Sequence, residues 1–185
     1  MNFSNRKGQE AQPTWSPDSA TIAFLSDRGG GFHVWLAAFA RGSRVGEPRR
    51  LTNDAGGACF PNWSPDGKTI AYVVATQEGR EVWSVPADGS GPSRRLTSGA
   101  GAWYLRWFGS SGKLLVSGYW GEQVPTLRLL SPDTGALSPF ALPSGVALDR
   151  DGLEFDVSLD GRLLAIFEGK AESTVWVREA EANSF

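Results

Sequence analysis

The sequence is poor in the residues that form covalent and metal cross-links. Its 185 residues include one cysteine, Cys59, and one histidine, His33. A single thiol excludes an internal disulfide framework and a metal site made of several cysteines. A single histidine cannot form a cage of several imidazole ligands. We therefore predict no metal site and no bound cofactor.

Motifs of covalent catalysis and phosphate binding are also absent. No serine lies in a Gly-x-Ser-x-Gly elbow, which disfavours a hydrolase nucleophile. The segment Gly67–Lys68–Thr69 lacks the upstream glycine and the helix of a phosphate-binding loop, and we interpret it as a turn. We interpret His33 as an edge or loop residue, and the acidic segment 149–152 as a solvated turn without calcium-loop spacing. We predict no catalytic residues, and expect that the chain is not an enzyme.

The sequence has no large excess of charge of one sign and no long apolar run. Eighteen Lys and Arg against 20 Asp and Glu give a net charge of −2, too little positive charge for a nucleic-acid backbone. Apolar runs are far shorter than the roughly 20 residues that span a bilayer. The first ten residues lack the pattern of a secretory signal. We expect no nucleic-acid and no membrane partner, and leave the compartment open between cytoplasm and periplasm.

Glycine, proline and tryptophan are plentiful, at 23, 11 and 8 residues, a composition typical of short strands joined by tight turns. One segment occurs four times. PTWSPDS around Trp15 precedes TIAF, and PNWSPDG around Trp63 precedes TIAY. Weaker copies surround Trp107 and Val157. The successive spacings are 48, 44 and 50 residues, within the range of β-propeller blades.

Each copy has the same internal order. A strand ends at the Trp or Val, a Ser-Pro-Asp-Gly type turn follows, and an apolar strand, a glycine-containing turn, a third strand and an outer strand complete the unit. This order predicts an all-β protein, a β-propeller of four four-stranded blades, as a single domain over 1–185. The predicted units are about 11–52, 59–97, 103–142 and 153–178. Residues 1–10, around Phe3, are predicted to form an outer strand that closes the ring.

These motifs resemble the TolB-type (WD-like) β-propeller repeat. The resemblance implies six blades in the namesake, and related blades accompany prolyl-oligopeptidase-type hydrolase, kinase and DNA-binding domains. This chain holds four units, so three arrangements stay open: a closed four-bladed ring, half of an eight-bladed homodimer formed by strand exchange, or part of a larger propeller.

The first strand of each unit carries a polar residue just before the Trp or Val. Because side chains alternate along a strand, this polar set is expected to face away from the intersheet core and to line a central channel. Ser16, Ser64, Phe108 and Ser158 are expected to extend the same face. The predicted channel-lining residues are Thr14, Asn62, Arg106 and Asp156, and the last two are expected to form an ion pair.

The aromatic residues fall into two groups. Six tryptophans on repeat positions are expected to pack one blade against the next: Trp15, Trp35, Trp63, Trp83, Trp107 and Trp176. Four aromatic residues of the third unit lie outside this framework and are predicted to form an exposed aromatic channel mouth: Trp103, Tyr104, Tyr119 and Trp120.

We therefore interpret the chain as a non-enzymatic propeller scaffold that binds a protein or peptide at the channel mouth. Two alternatives follow from the resemblance. The chain would be the substrate-gating propeller of a prolyl-oligopeptidase-type hydrolase, or the sensory propeller of a kinase or DNA-binding regulator.

Overall fold

The computed structural model describes residues 8–99, 101–142, 148, 154–168 and 174–179. The chain divides into two compact units, Met1–Arg95 (unit 1) and Leu96–Phe185 (unit 2). All regular elements in the described ranges are β-strands, which confirms the all-β prediction. A search of those ranges found no helix with the length and apolar character of a membrane span.

Unit 1 contains two four-stranded antiparallel sheets in which strands adjacent in sequence are adjacent in the sheet. The first sheet is β1 (Glu10–Trp15), β2 (Thr21–Ser26), β3 (His33–Ala40) and β4 (Ser43–Arg50). The second sheet is β5 (Gly57–Trp63), β6 (Thr69–Thr76), β7 (Gly79–Pro86) and β8 (Arg94–Arg95).

Unit 2 repeats this plan. Its first sheet is β9 (Ala102–Trp107), β10 (Leu114–Gly118), β11 (Thr126–Leu130) and β12 (Leu137–Phe140). Its second sheet has three described strands, β13 (Phe155–Val157), β14 (Leu163–Glu168) and β15 (Thr174–Glu179). The predicted closing strand around Phe3 lies outside the described residues.

In the first three sheets, the second strand is the most deeply buried. In β6, every side chain from Ile70 to Val74 is buried, as expected for a strand covered on both faces. One face of β6 belongs to a core that the two sheets of unit 1 share, since Ala23 and Leu25 of β2 cluster there with Ile70, Tyr72 and Val74.

The repeat tryptophans pack as predicted only in part. Trp63 and Trp83 are half-buried against the shared core, and the Trp63 indole Nε1 donates to the Thr14 carbonyl at 3.2 Å. Trp15 is 52% exposed, so its predicted burial is wrong. It is paired with Ile22, on the face of the first sheet turned away from the shared core. Its ring contacts Phe39 in a T-shaped arrangement there, at 5.3 Å between centroids.

The other repeat tryptophans differ among themselves. Trp107 is half-buried. Trp35 is also half-buried, against the smaller cluster of Ile22, Phe24 and Ala37. Trp176 lies in β15, and its side chain is outside the described part of the structure.

The turn between the first and second strands is closed by the same hydrogen bonds in three sheets. In the first, the Ser16 hydroxyl donates to Asp18 Oδ1 at 2.5 Å and accepts from the Thr21 N–H at 2.9 Å. Asp18 Oδ1 also accepts from the Ala20 N–H at 3.0 Å. We call this set the Ser–Asp clasp. Its copies are Ser64 with Asp66 and Ser158 with Asp160.

The clasp corrects one expectation about the channel. Ser16 and Ser64 are buried and Ser158 is half-buried, and all three hydroxyls are used inside their turns. Phe108, the residue at this position in unit 2, is buried against the edge of Phe140 at 5.5 Å between centroids. These side chains therefore close turns or fill the core instead of extending a polar face.

The clasp predicts a specific acid sensitivity. Hydrogen bonds from the serine hydroxyl and the backbone hold the pKa of Asp18, Asp66 and Asp160 below the ordinary value of 3.8. A carboxyl with a depressed pKa stabilises the fold above its unfolded pKa, and that stability is lost as the pH falls through the folded pKa. We expect the free energy of unfolding, measured with urea, to fall below about pH 4.

Replacing all three aspartates by Asn should flatten this pH dependence. Asp133→Asn, in the exposed turn between β11 and β12, is the control and should leave the pH profile unchanged. Equal acid sensitivity in the triple variant and the parent protein would contradict this role of the clasp.

Candidate functional site

The first strands of consecutive sheets lie side by side in each unit. In unit 1, β1 and β5 are joined by the Trp63–Thr14 hydrogen bond and by the Phe60 N–H, which donates to Gln12 Oε1 at 2.5 Å. In unit 2, β9 and β13 are joined by side-chain contacts between Tyr104 and Phe155 and between Arg106 and Asp156. Each unit thus brings two of the predicted channel positions together.

A β-bulge interrupts the first strand in both sheets of unit 1. The pairing of β1 with β2 shifts between Ala11 and Thr14, and that of β5 with β6 shifts between Cys59 and Asn62. Gln12 and Phe60, inside the bulges, have φ of 50° and 53°. Such a bulge changes the direction of the side chains that precede it.

Thr14 and Asn62, both half-buried, differ in how they face the shared core of unit 1. Thr14 is paired with Ala23, a residue of the shared core, so it lies on the covered face of its sheet. The expectation that Thr14 faces away from that core is wrong. Asn62 is paired with Ala71, on the face opposite to Trp63 and the shared core.

The Arg106–Asp156 pair is present. Arg106 Nε lies 3.3 Å from Asp156 Oδ1, and Arg106 Nη1 donates to the Leu105 carbonyl at 3.1 Å. The guanidinium carbon lies 4.4 Å from the centroid of the Tyr104 ring. The Val157 N–H donates to Asp156 Oδ1 at 3.0 Å. Arg106 is therefore oriented by a ring, a carboxylate and a carbonyl, while its side chain stays 27% exposed and that of Asp156 75% exposed.

The prediction that Tyr104 is an exposed residue of the channel mouth is wrong. It lies inside β9 with 5% of its surface exposed, and its ring meets Phe155 edge-on at 5.4 Å. Burial raises the pKa of its phenol, which the nearby Arg106 charge opposes. Sequence pattern suggested an entry loop, whereas β9 already begins at Ala102.

Trp103 is the exposed aromatic residue of β9. It lies where the pairing of β9 with β10 is irregular, between Ser117 and Gly118, and 37% of its surface is exposed. In a β-bulge, two residues of one strand lie opposite one residue of the neighbouring strand, and the side-chain direction changes. This accounts for an exposed indole next to the buried Tyr104.

Tyr119 and Trp120, both half-buried, lie in the β10–β11 turn. The Tyr119 N–H donates to the Gly101 carbonyl at 3.1 Å, which places this turn beside the start of β9. The Trp120 indole donates to the Thr126 carbonyl at 3.2 Å, and the Arg128 guanidinium lies 5.1 Å from its ring. The turn is thus held in place next to the strand that carries Trp103.

His33 and Cys59, the one histidine and the one cysteine of the sequence, are both shielded from solvent, His33 more completely. His33 begins β3 and is 5% exposed, so its predicted edge or loop position is wrong. Burial and the Arg50 charge lower the pKa of its imidazole, and burial raises that of the Cys59 thiol. Within the described ranges, no three His, Cys, Asp or Glu side chains are grouped to hold a metal ion. The acidic turn 149–152 lies outside those ranges.

Unit 1 contains a cleft that the sequence patterns do not reveal. Its volume is about 410 Å³, and it lies where the β1–β2 turn, the β5–β6 turn and the segment after β7 meet. The repeat contains one indication of the cleft, because the Ser-Pro-Asp motifs of consecutive sheets place the carboxylates of Asp18 and Asp66 at the same end of unit 1. Its lining includes Asp18, Arg49, Trp63, Asp66, Ala87 and Asp88.

Comparison with known proteins defines the fold. No protein-family model and no curated relative matches the sequence. TolB from Acinetobacter baumannii superposes on 94% of the chain with a TM-score of 0.71 and 18% identity. A TolB structure from Agrobacterium tumefaciens covers 97% with a TM-score of 0.72 and 17% identity. The chain has the TolB-type β-propeller fold.

The chain spans 41% and 61% of the length of those two TolB chains. Enzymes have similar propellers. A puromycin-hydrolyzing peptidase of Mycobacterium tuberculosis matches 94% of the chain at 18% identity with a TM-score of 0.65, over 28% of the peptidase. An oligogalacturonate lyase in complex with manganese matches 94% at 18% identity with a TM-score of 0.63, over 49% of the lyase. The shared feature is the propeller fold.

Proposed function

We propose that this TolB-type chain is a non-enzymatic scaffold that binds the carboxylate-bearing end of a protein or peptide. The site would be the edge of unit 2 formed by β9 and β13, which we expect to border a channel mouth. The observation that carries the proposal is the oriented, partly exposed guanidinium of Arg106.

The Arg106 side chain has donor capacity left for a ligand. A guanidinium has five N–H donors. In Arg106, Nε and Nη1 contact Asp156 and Leu105, the Tyr104 phenol is a further hydrogen-bond partner, and 27% of the side chain stays exposed. Guanidinium binds carboxylate through short, charge-assisted and often bidentate bonds. Because Tyr104 and Asp156 already restrict its rotamers, binding costs less conformational entropy than at a mobile surface arginine.

Aromatic surface beside this edge supports a peptide ligand. Trp103 is exposed on β9, and the turn with Tyr119 and Trp120 is anchored to Gly101. Tryptophan and tyrosine are over-represented among residues that dominate the binding energy of protein interfaces. A partner peptide would place apolar side chains there while its terminal carboxylate contacts Arg106.

The test is fluorescence polarisation with labelled hexapeptides in two forms, with a free C-terminal carboxylate and with a C-terminal amide. We expect the free acid to bind at least about tenfold tighter, since a charge-assisted pair of bonds is lost in the amide. Arg106→Gln should abolish this difference, and Trp103→Ala should weaken both forms.

Arg44→Gln is the matched control. Arg44 is an equally exposed arginine paired with an acidic residue, Glu47, but it lies on the outer strand β4. This variant should bind like the parent protein. Equal affinity for acid and amide, or an unchanged preference in Arg106→Gln, would refute the proposed carboxylate site.

A second candidate is a substrate-gating propeller of a hydrolase. The similarity to puromycin hydrolase structures, with TM-scores of 0.60 to 0.65, supports it. This candidate predicts an α/β-hydrolase domain in the same open reading frame, and sequencing the flanking coding region tests it. The scaffold candidate requires no such domain.

A further inference from the structure

We infer that the cleft of unit 1 is a second binding site, which takes an arginine side chain of an extended peptide segment. This site is independent of the proposed carboxylate site in unit 2, since its charge has the opposite sign. A volume of about 410 Å³ lies within the range of small-ligand pockets.

The lining of the cleft has an excess of negative charge. Asp18, Asp66 and Asp88 contribute three carboxylates, and Arg49 contributes the one cation among the lining residues. Hydrogen bonds hold the pKa of all three carboxyls below its ordinary value, so they are ionised at neutral pH. Arg49 Nη2 is bound to the Ala87 carbonyl at 2.7 Å.

The carboxylates of Asp18 and Asp66 are each held by hydrogen bonds to one of their two oxygens. Oδ1 of Asp18 and of Asp66 accepts from the clasp serine and from a backbone N–H. Oδ2 of each has no hydrogen bond within the described chain. A nearby cation, Lys68, follows the second clasp and is exposed. The two free oxygens belong to equivalent turns of consecutive sheets, and both turns border the cleft.

The rest of the lining suits the flat guanidinium of arginine. Trp63 borders the cleft, and its ring is fixed by the hydrogen bond from Nε1 to the Thr14 carbonyl. Leu36, Ala38 and Pro65 add apolar surface. A guanidinium stacks on an indole face and pairs with carboxylate at the same time, whereas an ammonium is a compact, strongly hydrated charge. We therefore assign arginine as the occupant.

The test uses the blocked pentapeptide Ac-Ala-Ala-Arg-Ala-Ala-NH2, which carries no carboxylate for Arg106. Its citrulline analogue has nearly the same shape without the charge, and a lysine analogue keeps the charge without the planar group. Binding is followed by isothermal calorimetry and by the tryptophan fluorescence of the full chain. We expect the arginine peptide to bind at least tenfold tighter than the citrulline peptide and severalfold tighter than the lysine peptide.

Matched variants locate the site. Asp66→Asn and Asp18→Asn should each weaken the arginine peptide, and the double variant should weaken it at least tenfold. Asp160→Asn changes the equivalent clasp in unit 2, which is not among the lining residues of the cleft, and should bind like the parent protein. Asp88→Asn changes a cleft carboxylate outside the clasps, so it tests the site even if the clasp variants fail to fold.

Several results would overturn the inference. These are equal binding of the arginine and citrulline peptides, no binding at millimolar peptide, and a loss in Asp160→Asn as large as that in Asp66→Asn. Equal binding of the lysine peptide would overturn the assignment of arginine.

Discussion

Tyr72→Ala is expected to destabilise the protein by about 3–5 kcal/mol, the usual cost of removing a large aromatic side chain from a core. Tyr72 lies in the middle of β6, is fully buried, and belongs to the core shared by the two sheets of unit 1. Its hydroxyl lies 2.7 Å from both Asp54 Oδ2 and Ser93 Oγ, donating to the carboxylate. Burial raises the pKa of this phenol above its ordinary value, so it stays protonated.

Tyr72→Phe separates the ring from the hydroxyl. It keeps the packing but leaves Asp54 and Ser93 without this partner, which should cost about 1–3 kcal/mol. Urea unfolding followed by tryptophan fluorescence measures both variants. Tyr119→Phe, which removes the hydroxyl of a half-buried tyrosine in a turn, is the control and should change stability by less than about 0.5 kcal/mol. A Tyr72→Phe variant as stable as the parent protein would show that the buried hydroxyl network contributes nothing.

Gly56→Ala is expected to be the most disruptive glycine-to-alanine substitution in unit 1. A Cβ at Gly56 would lie 2.3 Å from the Ala75 carbonyl oxygen and 2.6 Å from Val74 Cγ1, so β5 and β6 would have to separate locally. Such overpacking costs about 1–3 kcal/mol, and more where backbone must move. The adjacent Gly57→Ala is the matched control, because a Cβ there meets no atom within 4 Å.

The two variants make the same Gly→Ala change at adjacent positions. Thermal unfolding should show a lowered midpoint for Gly56→Ala and an unchanged or slightly raised one for Gly57→Ala, which restricts the unfolded chain. Equal midpoints would contradict the close approach of Gly56 to β6.

The strand order could be predicted because the repeat carries its own turn chemistry. Ser-Pro-Asp follows β1 and β5, and Ser158-Leu159-Asp160 follows β13. Each of these three strands ends one residue before the serine. The third sheet could be predicted although its turn lacks Pro and Asp. The reason is visible in Ser111, whose hydroxyl donates to the Phe108 carbonyl and accepts from the Lys113 N–H.

The orientation of individual side chains was less predictable. Alternation counted from Trp15 and Trp63 takes no account of the bulges at Gln12 and Phe60, which no local sequence signal marks. Trp15 and Trp63 share a motif but differ in burial, because only the Trp63 face is covered by the other sheet of unit 1. Burial of that kind depends on neighbours that the local motif does not encode.

The two candidate sites also differ in whether the sequence predicts them. The Arg106–Asp156 pair could be predicted since it joins equivalent positions of consecutive first strands. The cleft could not, because its lining comes from two turns, from β3 and β4 and from the segment after β7, which meet only after the sheets pack.

The Ser–Asp clasp has a consequence for the evolution of the chain. Every hydrogen bond of one clasp joins residues no more than five positions apart. A duplicated gene segment therefore encodes a complete hairpin connection wherever it is inserted, without compensating changes elsewhere. The number of repeats can then change by recombination, and each new copy forms its turn without further mutation.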